Sequence, residues 1–409
     1  MFEDLVVLIL YAHRRPMQNA LNFLYRQLDR LGDLVTASAY SQARRKIKPE
    51  LFSYLRQEML TIFYQPADPT DPVDPTEPPI ATWCGRRLVG GDVTMLNLPE
   101  TPRLRREFTV QPTARSEQGV IQAAGLVCFD VLNDVVLGGH LLKRQSARQM
   151  LVEHALEDLQ PTDVLVLDRE FGDTGLMAYL CHTQQDFIIR VQTRHFVREV
   201  ATFVASGHLE AIVTLSVAAK QREFARGHGL APTMRLRLIR YDLPGGEVEV
   251  LVTSLLDATL YGRQKIIEAY RLRWNIETYF DRLKNLFEVE RFSSTTPEAI
   301  AQDFQGMLFL STLESILTRE ATQALDRRSQ DRNCVYRQKV NRSVSYAIVL
   351  ETVIELLCDT ARSTETVLTE ISQLLMTNPT LVRPGRSNKR TRMHQSQRPR
   401  YLRYWRRLT

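Results

Sequence analysis

The sequence predicts an α/β protein in which a mixed β-sheet is flanked by helices and both end regions of the chain are helical. Between residues 81 and 297, apolar runs of strand length alternate with amphipathic helical segments. A stretch rich in Pro and Asp, residues 65–80, separates this region from a helical segment at residues 1–64, and we interpret it as an extended linker. The 409 residues, 44% hydrophobic and 24% charged, provide a sizeable core.

The overall charge and the cysteines restrict the class of protein only loosely. Lys and Arg total 53 against 47 Asp and Glu, a net charge of +6, which is compatible with a polyanionic partner without requiring one. The five cysteines form no Cys-x-x-Cys pair and no Cys/His cluster, so we expect a reducing cytoplasm and neither a structural zinc nor a disulfide framework. The apolar run at residues 5–12 is short and preceded by acids, which fits neither a signal peptide nor a membrane span.

The N-terminal segment, residues 1–64, has the pattern of a small helical DNA-binding domain. An apolar helical face ends at Gly32, and a second short helix rich in Gln and Arg follows. Two short helices around a glycine are typical of helix-turn-helix units. Arg44, Arg45 and Lys46 are therefore candidate DNA contacts, although a basic solvated helix has the same pattern.

Acidic residues accompany two of the predicted strands in the central region. Asp92 lies near the end of an apolar run, and Asp168 directly follows the nearly all-apolar run 163–167, which predicts a strand buried on both faces. Ligands bind beyond the carboxyl ends of such strands. Asp130 is the alternative first carboxylate, but it falls within the middle strands. The predicted order is β-β-β-α-β-α-β, with strands at about 87–96, 120–126, 131–137, 163–168 and 187–191 and helices at 146–159 and 172–182.

This order, with one Asp on the first strand and another at the end of the fourth, is that of the ribonuclease H-like fold, a mixed five-stranded sheet with flanking helices. Residues from about 193 to 260 then form alternating segments with a Pro-Gly-Gly turn, and we interpret them as a β-rich insertion. Within it, residues 234–241 alternate cationic and apolar side chains, which indicates a basic and possible DNA-facing surface. The catalytic domain is expected to span residues 81–297.

Four polar residues share one face of a helix predicted over residues 270–284. Tyr270, Arg273, Glu277 and Lys284 fall within an arc of roughly 60° at about 100° per residue, and the apolar residues occupy the other side. A carboxylate flanked by an aromatic hydroxyl and two cations is suited to holding a metal ion beside a phosphate backbone. A solvated amphipathic helix is the alternative interpretation.

The spacing of these four residues, with Trp274 after the Arg, resembles the Tyr–Arg–Glu–Lys signature of DDE transposases of the insertion-sequence-four group. Asp168 followed by Arg169 is similar to the second motif of that family. Around Asp92, Thr94 and the segment 98–102 match the first motif, although Gly91-Asp92-Val93 departs from its usual form.

The resemblance implies that Asp92, Asp168 and Glu277 are catalytic and ligate Mg²⁺ or Mn²⁺, two ions being expected. Hard oxygen ligands suit Mg²⁺, and two such ions supply what phosphodiester cleavage needs. Double-stranded DNA is the expected partner, bound by a homodimer in the complex, with no nucleotide cofactor and no membrane. The expected DNA contacts in this region are Tyr270, Arg273, Lys284, Arg169 and Arg190.

The C-terminal part has two predicted regions. Residues 298–376 are mostly helical and form a candidate dimerisation region, and residues 377–409 form a basic tail. Ten Lys or Arg residues between 383 and 407 are interleaved with Tyr401, Tyr404 and Trp405, a pattern that fits phosphate binding with occasional base stacking. A disordered solubilising tail would have the same composition.

The sequence therefore predicts a transposase that cuts DNA at the terminal inverted repeats of an insertion sequence and joins the 3′ ends to target DNA. It would act in the bacterial cytoplasm, at the nucleoid. A ribonuclease H-like metal-dependent nuclease without strand transfer is one alternative. An inactive DNA-binding relic of a transposase is another, and the intact spacing of Asp168 and Glu277 argues against it.

Overall fold

The structure is a computed structural model that describes residues 2–11, 16–65, 79–113, 116–193, 196–243, 247–358 and 362–383. Most of the predicted Pro/Asp-rich linker and all but the first residues of the predicted basic tail lie outside these ranges, as does the predicted Pro-Gly-Gly turn. The predicted α/β class with a mixed sheet is confirmed. The helices are α1 (Phe2–Tyr11), α2 (Met17–Gln27), α3 (Ala37–Arg44), α4 (Glu50–Phe63), α5 (Pro102–Glu107), α6 (Ala147–Met150), α7 (Thr174–His182), α8 (Arg198–Ser206), α9 (Arg222–Gly227), α10 (Arg263–Leu272), α11 (Trp274–Asn285), α12 (Pro297–Asp331), α13 (Arg342–Leu357) and α14 (Thr364–Thr377).

One large sheet of nine strands forms the centre of the molecule, in the order β2-β3-β1-β5-β6-β9-β8-β7, with β4 also paired to β3. The neighbours β1, β5 and β6 are parallel, and the other pairings are antiparallel. The strands are β1 (Leu88–Asn97), β2 (Thr109–Thr113), β3 (Ser116–Asp130), β4 (Val135–Leu142), β5 (Val164–Leu167), β6 (Asp186–Val191), β7 (Glu210–Ser216), β8 (Thr233–Asp242) and β9 (Val248–Thr253).

The predicted sheet had five strands, whereas the observed sheet has nine. The insertion is not a separate layer, because its last strand, β9, pairs antiparallel with β6 and extends the same sheet through β8 and β7. The short strand β2 adds to the first half of β3, which is a single strand of 15 residues. The basic surface expected on β8 is interrupted, because Arg237 is buried and its guanidinium donates to Glu210 and to the backbone carbonyl of Tyr261.

Helices cover both faces of the sheet. On β5, Val164 and Val166 belong to a core shared with α10–α13, whereas Leu165 and Leu167 belong to a core shared with α6–α9. A run that is apolar at every position, as β5 is, is therefore buried on both faces. Helix α6 begins at the predicted cap, where the Ser146 hydroxyl accepts from the Gln149 N–H. It then continues as a π-helical turn and a 3₁₀ turn to Asp158.

The four N-terminal helices share a hydrophobic core with α11, α12 and α13. Arg44 of α3 is buried, at 5% exposure, and its guanidinium donates to Asp303 Oδ1 at 2.7 Å and to Gln302 Oε1 at 2.6 Å. In return, Gln302 Nε2 donates to the Ile47 carbonyl at 2.6 Å. The expectation that Arg44 contacts DNA is therefore corrected: its donors are used to hold α3 against α12.

The region after the sheet is helical. Helix α12 extends over 35 residues, α13 packs against α1 and α12, and α14 forms a small core with α12 and α13. Two short strands, β10 (Arg337–Lys339) and β11 (Thr380–Val382), pair antiparallel beside it. None of the helices in the described ranges is both long and apolar enough to cross a membrane.

Candidate active site

The strand register brings three predicted site residues to one row across the central strands β1, β5 and β6. Gly91 of β1 pairs with Leu167 of β5, and Leu167 pairs with Ile189 of β6. The next residues on these strands are Asp92, Asp168 and Arg190. Because side chains at equivalent positions of neighbouring parallel strands point to the same face, all three lie on the face covered by α10 and α11.

Asp168 ends its strand with a defined backbone conformation. Its carboxylate accepts a hydrogen bond from the Glu170 N–H at 2.7 Å and thereby caps a 3₁₀ turn, residues Arg169–Phe171. Arg169 is exposed beside it. As predicted, this acid lies directly beyond the carboxyl end of a buried strand.

The helix predicted over residues 270–284 consists of two helices, α10 and α11, that meet at Arg273. Helix α11 packs against β1 near Gly90. A Cβ atom there would lie 3.5 Å from Ile276 Cβ and 3.0 Å from Val131 Cγ1. The tight contact of a side chain at Gly90 would be the one with Val131, whereas its distance to Ile276 of α11 is that of ordinary van der Waals contact.

Arg273 connects two of the predicted carboxylates. It is buried, at 3% exposure. Its Nη2 donates to Glu277 Oε1 at 2.9 Å, and its Nη1 lies 3.9 Å from Asp92 Oδ2. Burial raises the pKa of Asp92 to about 7; the charges of Asp168 and Glu277 add to this rise, whereas the Val93 N–H and Arg273 oppose it. The three acids therefore interact electrostatically.

These residues fit a divalent cation by their chemistry. Two carboxylates on adjacent strands, Asp92 within β1 and Asp168 directly after β5, and a third on the covering helix are the hard oxygen donors that Mg²⁺ and Mn²⁺ take. The charges of Asp168 and Glu277 both contribute to the raised pKa of Asp92, although burial contributes most. In the described part of the chain, no three Asp, Glu, His or Cys side chains are grouped closely enough to hold an ion as they stand. The Glu277 carboxylate is instead bound to Arg273.

Tyr270 and Lys284 both face the sheet. The Tyr270 ring is buried, with its centroid 6.4 Å from that of Tyr241 and 5.6 Å from the Arg273 guanidinium carbon; burial raises its pKa to about 12. Lys284 Nζ donates to the Met95 carbonyl of β1 at 2.8 Å. Both residues therefore help to seat α10 and α11 on the strands, a role that the helical spacing alone did not predict.

The other candidate DNA contacts lie in different surroundings. Arg45 and Lys46 are exposed at the end of α3, and their role stays a prediction. Arg190 Nη1 donates to Glu249 Oε1 at 2.5 Å. Sequence reasoning missed Glu249, because its position beside β6 depends on the return of β9 to the central sheet. The alternation of residues 248–253 indicated a strand but not its partner.

Asp130, the alternative first carboxylate, has a structural role. It is fully buried, and its oxygens accept from the Tyr64 hydroxyl at 2.7 Å and from the backbone and side chain of Asn133. It pairs with Val89, three residues before Asp92 along β1. Its hydrogen bonds fix the turn between β3 and β4, so the structure favours Asp92 as the first acid of the site.

A profile of the transposase DDE domain family matches residues 92–313, a segment that begins at Asp92 and includes Asp168 and Glu277. It covers more than half of the chain, so the protein belongs to this family.

Among individual proteins, the transposase InsG of insertion sequence element IS4 from Escherichia coli K12 is 21% identical over 305 residues. These residues are 73% of this chain and 65% of that protein, so the chain spans just under two thirds of its relative. Among solved structures, the cryo-EM structure of a piggyBac transposase synaptic complex with hairpin DNA has a TM-score of 0.39 at 11% identity. That match covers 75% of this chain and 60% of the piggyBac chain.

Proposed function

We propose that this protein is a transposase of the insertion-sequence-four group that cleaves DNA at terminal inverted repeats and joins the 3′ ends to target DNA. The observation that supports this most is the placement of Asp92 and Asp168 side by side on β1 and β5, with Glu277 linked to Asp92 through Arg273. The strands β4-β3-β1-β5-β6, with β1, β5 and β6 parallel, support a ribonuclease H-like core inside the larger sheet.

Asp92, Asp168 and Glu277 would hold two Mg²⁺ or Mn²⁺ ions. When bound, such ions polarise the phosphate and lower the pKa of the attacking water or 3′-hydroxyl. Glu277 must first leave its hydrogen bond with Arg273. Arg273 keeps its position between the carboxylates and, once Glu277 is released, has a guanidinium edge free for a bidentate contact with a phosphate.

The DNA contacts follow from the surroundings of each basic residue. Arg169 is exposed beside Asp168 and would contact the backbone near the scissile phosphate. Tyr270 and Lys284 fix the helices that carry Arg273 and Glu277. Arg45 and Lys46 would contact DNA farther from the chemistry. We further propose a homodimer in the DNA complex, with no nucleotide cofactor, acting in the cytoplasm at the nucleoid.

The test is the variant Glu277→Gln, assayed for metal-dependent nicking and for joining of paired end DNA. We expect cleavage to fall below detection while DNA affinity changes little, because the lost carboxylate serves catalysis but repels phosphate. Glu268→Gln is the matched control, since Glu268 is an exposed acid on the adjoining helix α10 and its carboxylate accepts a hydrogen bond from the Gln264 side chain. Its cleavage should equal that of the wild type.

The same assays separate the alternatives. If Glu277→Gln cleaves as fast as the wild type, Glu277 has no catalytic role and the proposed site is wrong. Cleavage by the wild type without joining of 3′ ends would indicate a nuclease, and the absence of any metal-dependent nicking would indicate an inactive relic.

A further inference from the structure

A row of polar side chains continues from the candidate site into the insertion. Asp92, Asp168 and Arg190 occupy equivalent positions on β1, β5 and β6. On β9, Leu251 pairs with Arg190, and Glu249 is the next residue on the same face. The insertion therefore places a further acid on the face of the sheet that carries Asp92 and Asp168 and that is covered by the helix of Glu277.

Arg190 stands between two carboxylates along this row but is paired with only one. Its Nη1 donates to Glu249 Oε1 at 2.5 Å, and the other Glu249 oxygen accepts from the Tyr241 hydroxyl. The buried Nε of Arg190 has no hydrogen-bond partner among the residues that the structure describes. The guanidinium therefore has spare donors and a position one strand away from Asp168.

We propose that Glu249 is a positioning residue that holds Arg190 away from Asp168 and so keeps the Asp168 carboxylate available to a divalent cation. This inference rests on the proposed function, because it assigns the ion to that same site. Tyr241 supports Glu249 by occupying its second oxygen.

The physical reason is competition between two cations for one carboxylate. Arg273 is already bound to Glu277. If Glu249 lost its charge, the nearest uncompensated acid on the row would be Asp168, and a charge-assisted hydrogen bond from Arg190 would form there. A divalent ion would then have to displace that bond before binding. Residues that act in this way on a metal ligand typically change metal affinity by about 10- to 100-fold.

The experiment measures Mn²⁺ binding to the full-length protein without DNA, by electron paramagnetic resonance of free Mn²⁺ and by the Mn²⁺-dependent rise in Tm. We expect Glu249→Gln to weaken Mn²⁺ binding about tenfold. Glu247→Gln changes an exposed acid that directly precedes β9, two residues before Glu249. It is the matched control and should bind as the wild type does. Circular dichroism and Tm in EDTA establish that each variant is folded.

The deciding variant is the double substitution Glu249→Gln with Arg190→Gln. Because the competing cation is gone, Mn²⁺ affinity should return to within about twofold of the wild type. If the double variant stays as weak as Glu249→Gln, Glu249 acts by some other route and the inference is wrong. If Glu249→Gln does not fold, Arg190→Gln alone decides: it should bind Mn²⁺ at least as well as the wild type, and a loss would contradict the inference.

Failure of this inference is distinguishable from failure of the proposed function. If Asp168→Asn binds Mn²⁺ as the wild type does, the metal site itself is misassigned. If Asp168→Asn abolishes binding while Glu249→Gln changes nothing, the site stands and only the role of Glu249 is wrong.

Discussion

At the scale of single residues, Asp92 combines burial with two neighbouring negative charges, and its pKa is raised to about 7. In the unfolded chain a carboxyl has a pKa near 4. At pH values between these two pKa values, the folded state binds more protons than the unfolded state. The free energy of unfolding must therefore fall as the pH rises through that window.

We expect Asp92→Asn to remove part of this dependence. In EDTA, wild-type protein should lose on the order of 2 kcal/mol more than the variant between pH 5 and pH 8. Urea unfolding at the two pH values measures the difference. Identical pH dependence in both proteins would mean that Asp92 ionises normally.

Single residues also show where sequence reasoning reached its limit within the site. Asp168 and Glu277 were identified from an apolar run and a helical spacing, both of which are local patterns. Glu249 was not, since its neighbour Arg190 is 59 residues away along the chain. Local patterns predict elements, whereas the pairing of distant strands is decided by tertiary packing.

At the scale of elements, the docking of α3 on α12 depends on one buried cation. Arg44 and Asp303 form an ion pair at 2.7 Å with both side chains less than a tenth exposed. Removing one partner of a buried pair leaves an uncompensated charge and typically costs about 3–5 kcal/mol. The neighbouring Arg45 is exposed.

We therefore expect Arg44→Ala to lower the free energy of unfolding by about 3–5 kcal/mol. Arg45→Ala should change it by no more than about 0.5 kcal/mol. Thermal and urea denaturation of both variants measure the effect. Comparable stability of the two variants would contradict the conclusion that Arg44 holds α3 against α12.

The positions of the helices along the chain were largely predictable, whereas the elements against which they pack were not. The pattern of α3 gave a basic face, but it could not distinguish an arginine that points to solvent from one that crosses to another helix 258 residues later. The same holds for Tyr270 and Lys284. Their spacing placed them together on one face of a helix, and packing decided that this face lies against the sheet.

At the scale of the whole molecule, the mixed sheet and the helical ends follow from the sequence, but the number of strands does not. The alternating pattern of residues 193–260 predicted strands there, and β7, β8 and β9 are among the strands of the sheet. That β9 pairs with β6 depends on hydrogen bonds between segments 60 residues apart, and nothing in either segment alone specifies its partner. The sheet therefore has nine strands where five were expected.

The predicted DNA contact of the basic C-terminal tail can be tested by deleting the tail from the full-length protein. Leu381 and Val382 pair with β10, so a clean deletion begins after Arg383 and removes nine Lys or Arg residues. If the tail contacts DNA without reading sequence, the slope of log K against log salt should become shallower by about 0.9 per lost phosphate contact. Anisotropy titrations at several salt concentrations, with end-sequence and random duplexes, measure this slope.

Preference for the end sequence should change little in the truncated protein, because phosphate contacts position a protein without reading bases. An unchanged slope would mean that the tail does not touch DNA. A selective loss of end-sequence binding would mean that it reads bases, through residues such as Tyr401 or Trp405.

The antiparallel pairing of β6 with β9 has a consequence for how such a chain can diverge. The chain leaves the central strands at β6 and returns beside it, so the two junctions of the insertion are about 5 Å apart. A descendant that keeps Tyr241 and Glu249 beside Arg190 can lengthen, shorten or exchange the other segments between these junctions without moving β1 and β5 apart. The remainder of the insertion can thus change over evolutionary time while Asp92 and Asp168 stay in register on their strands.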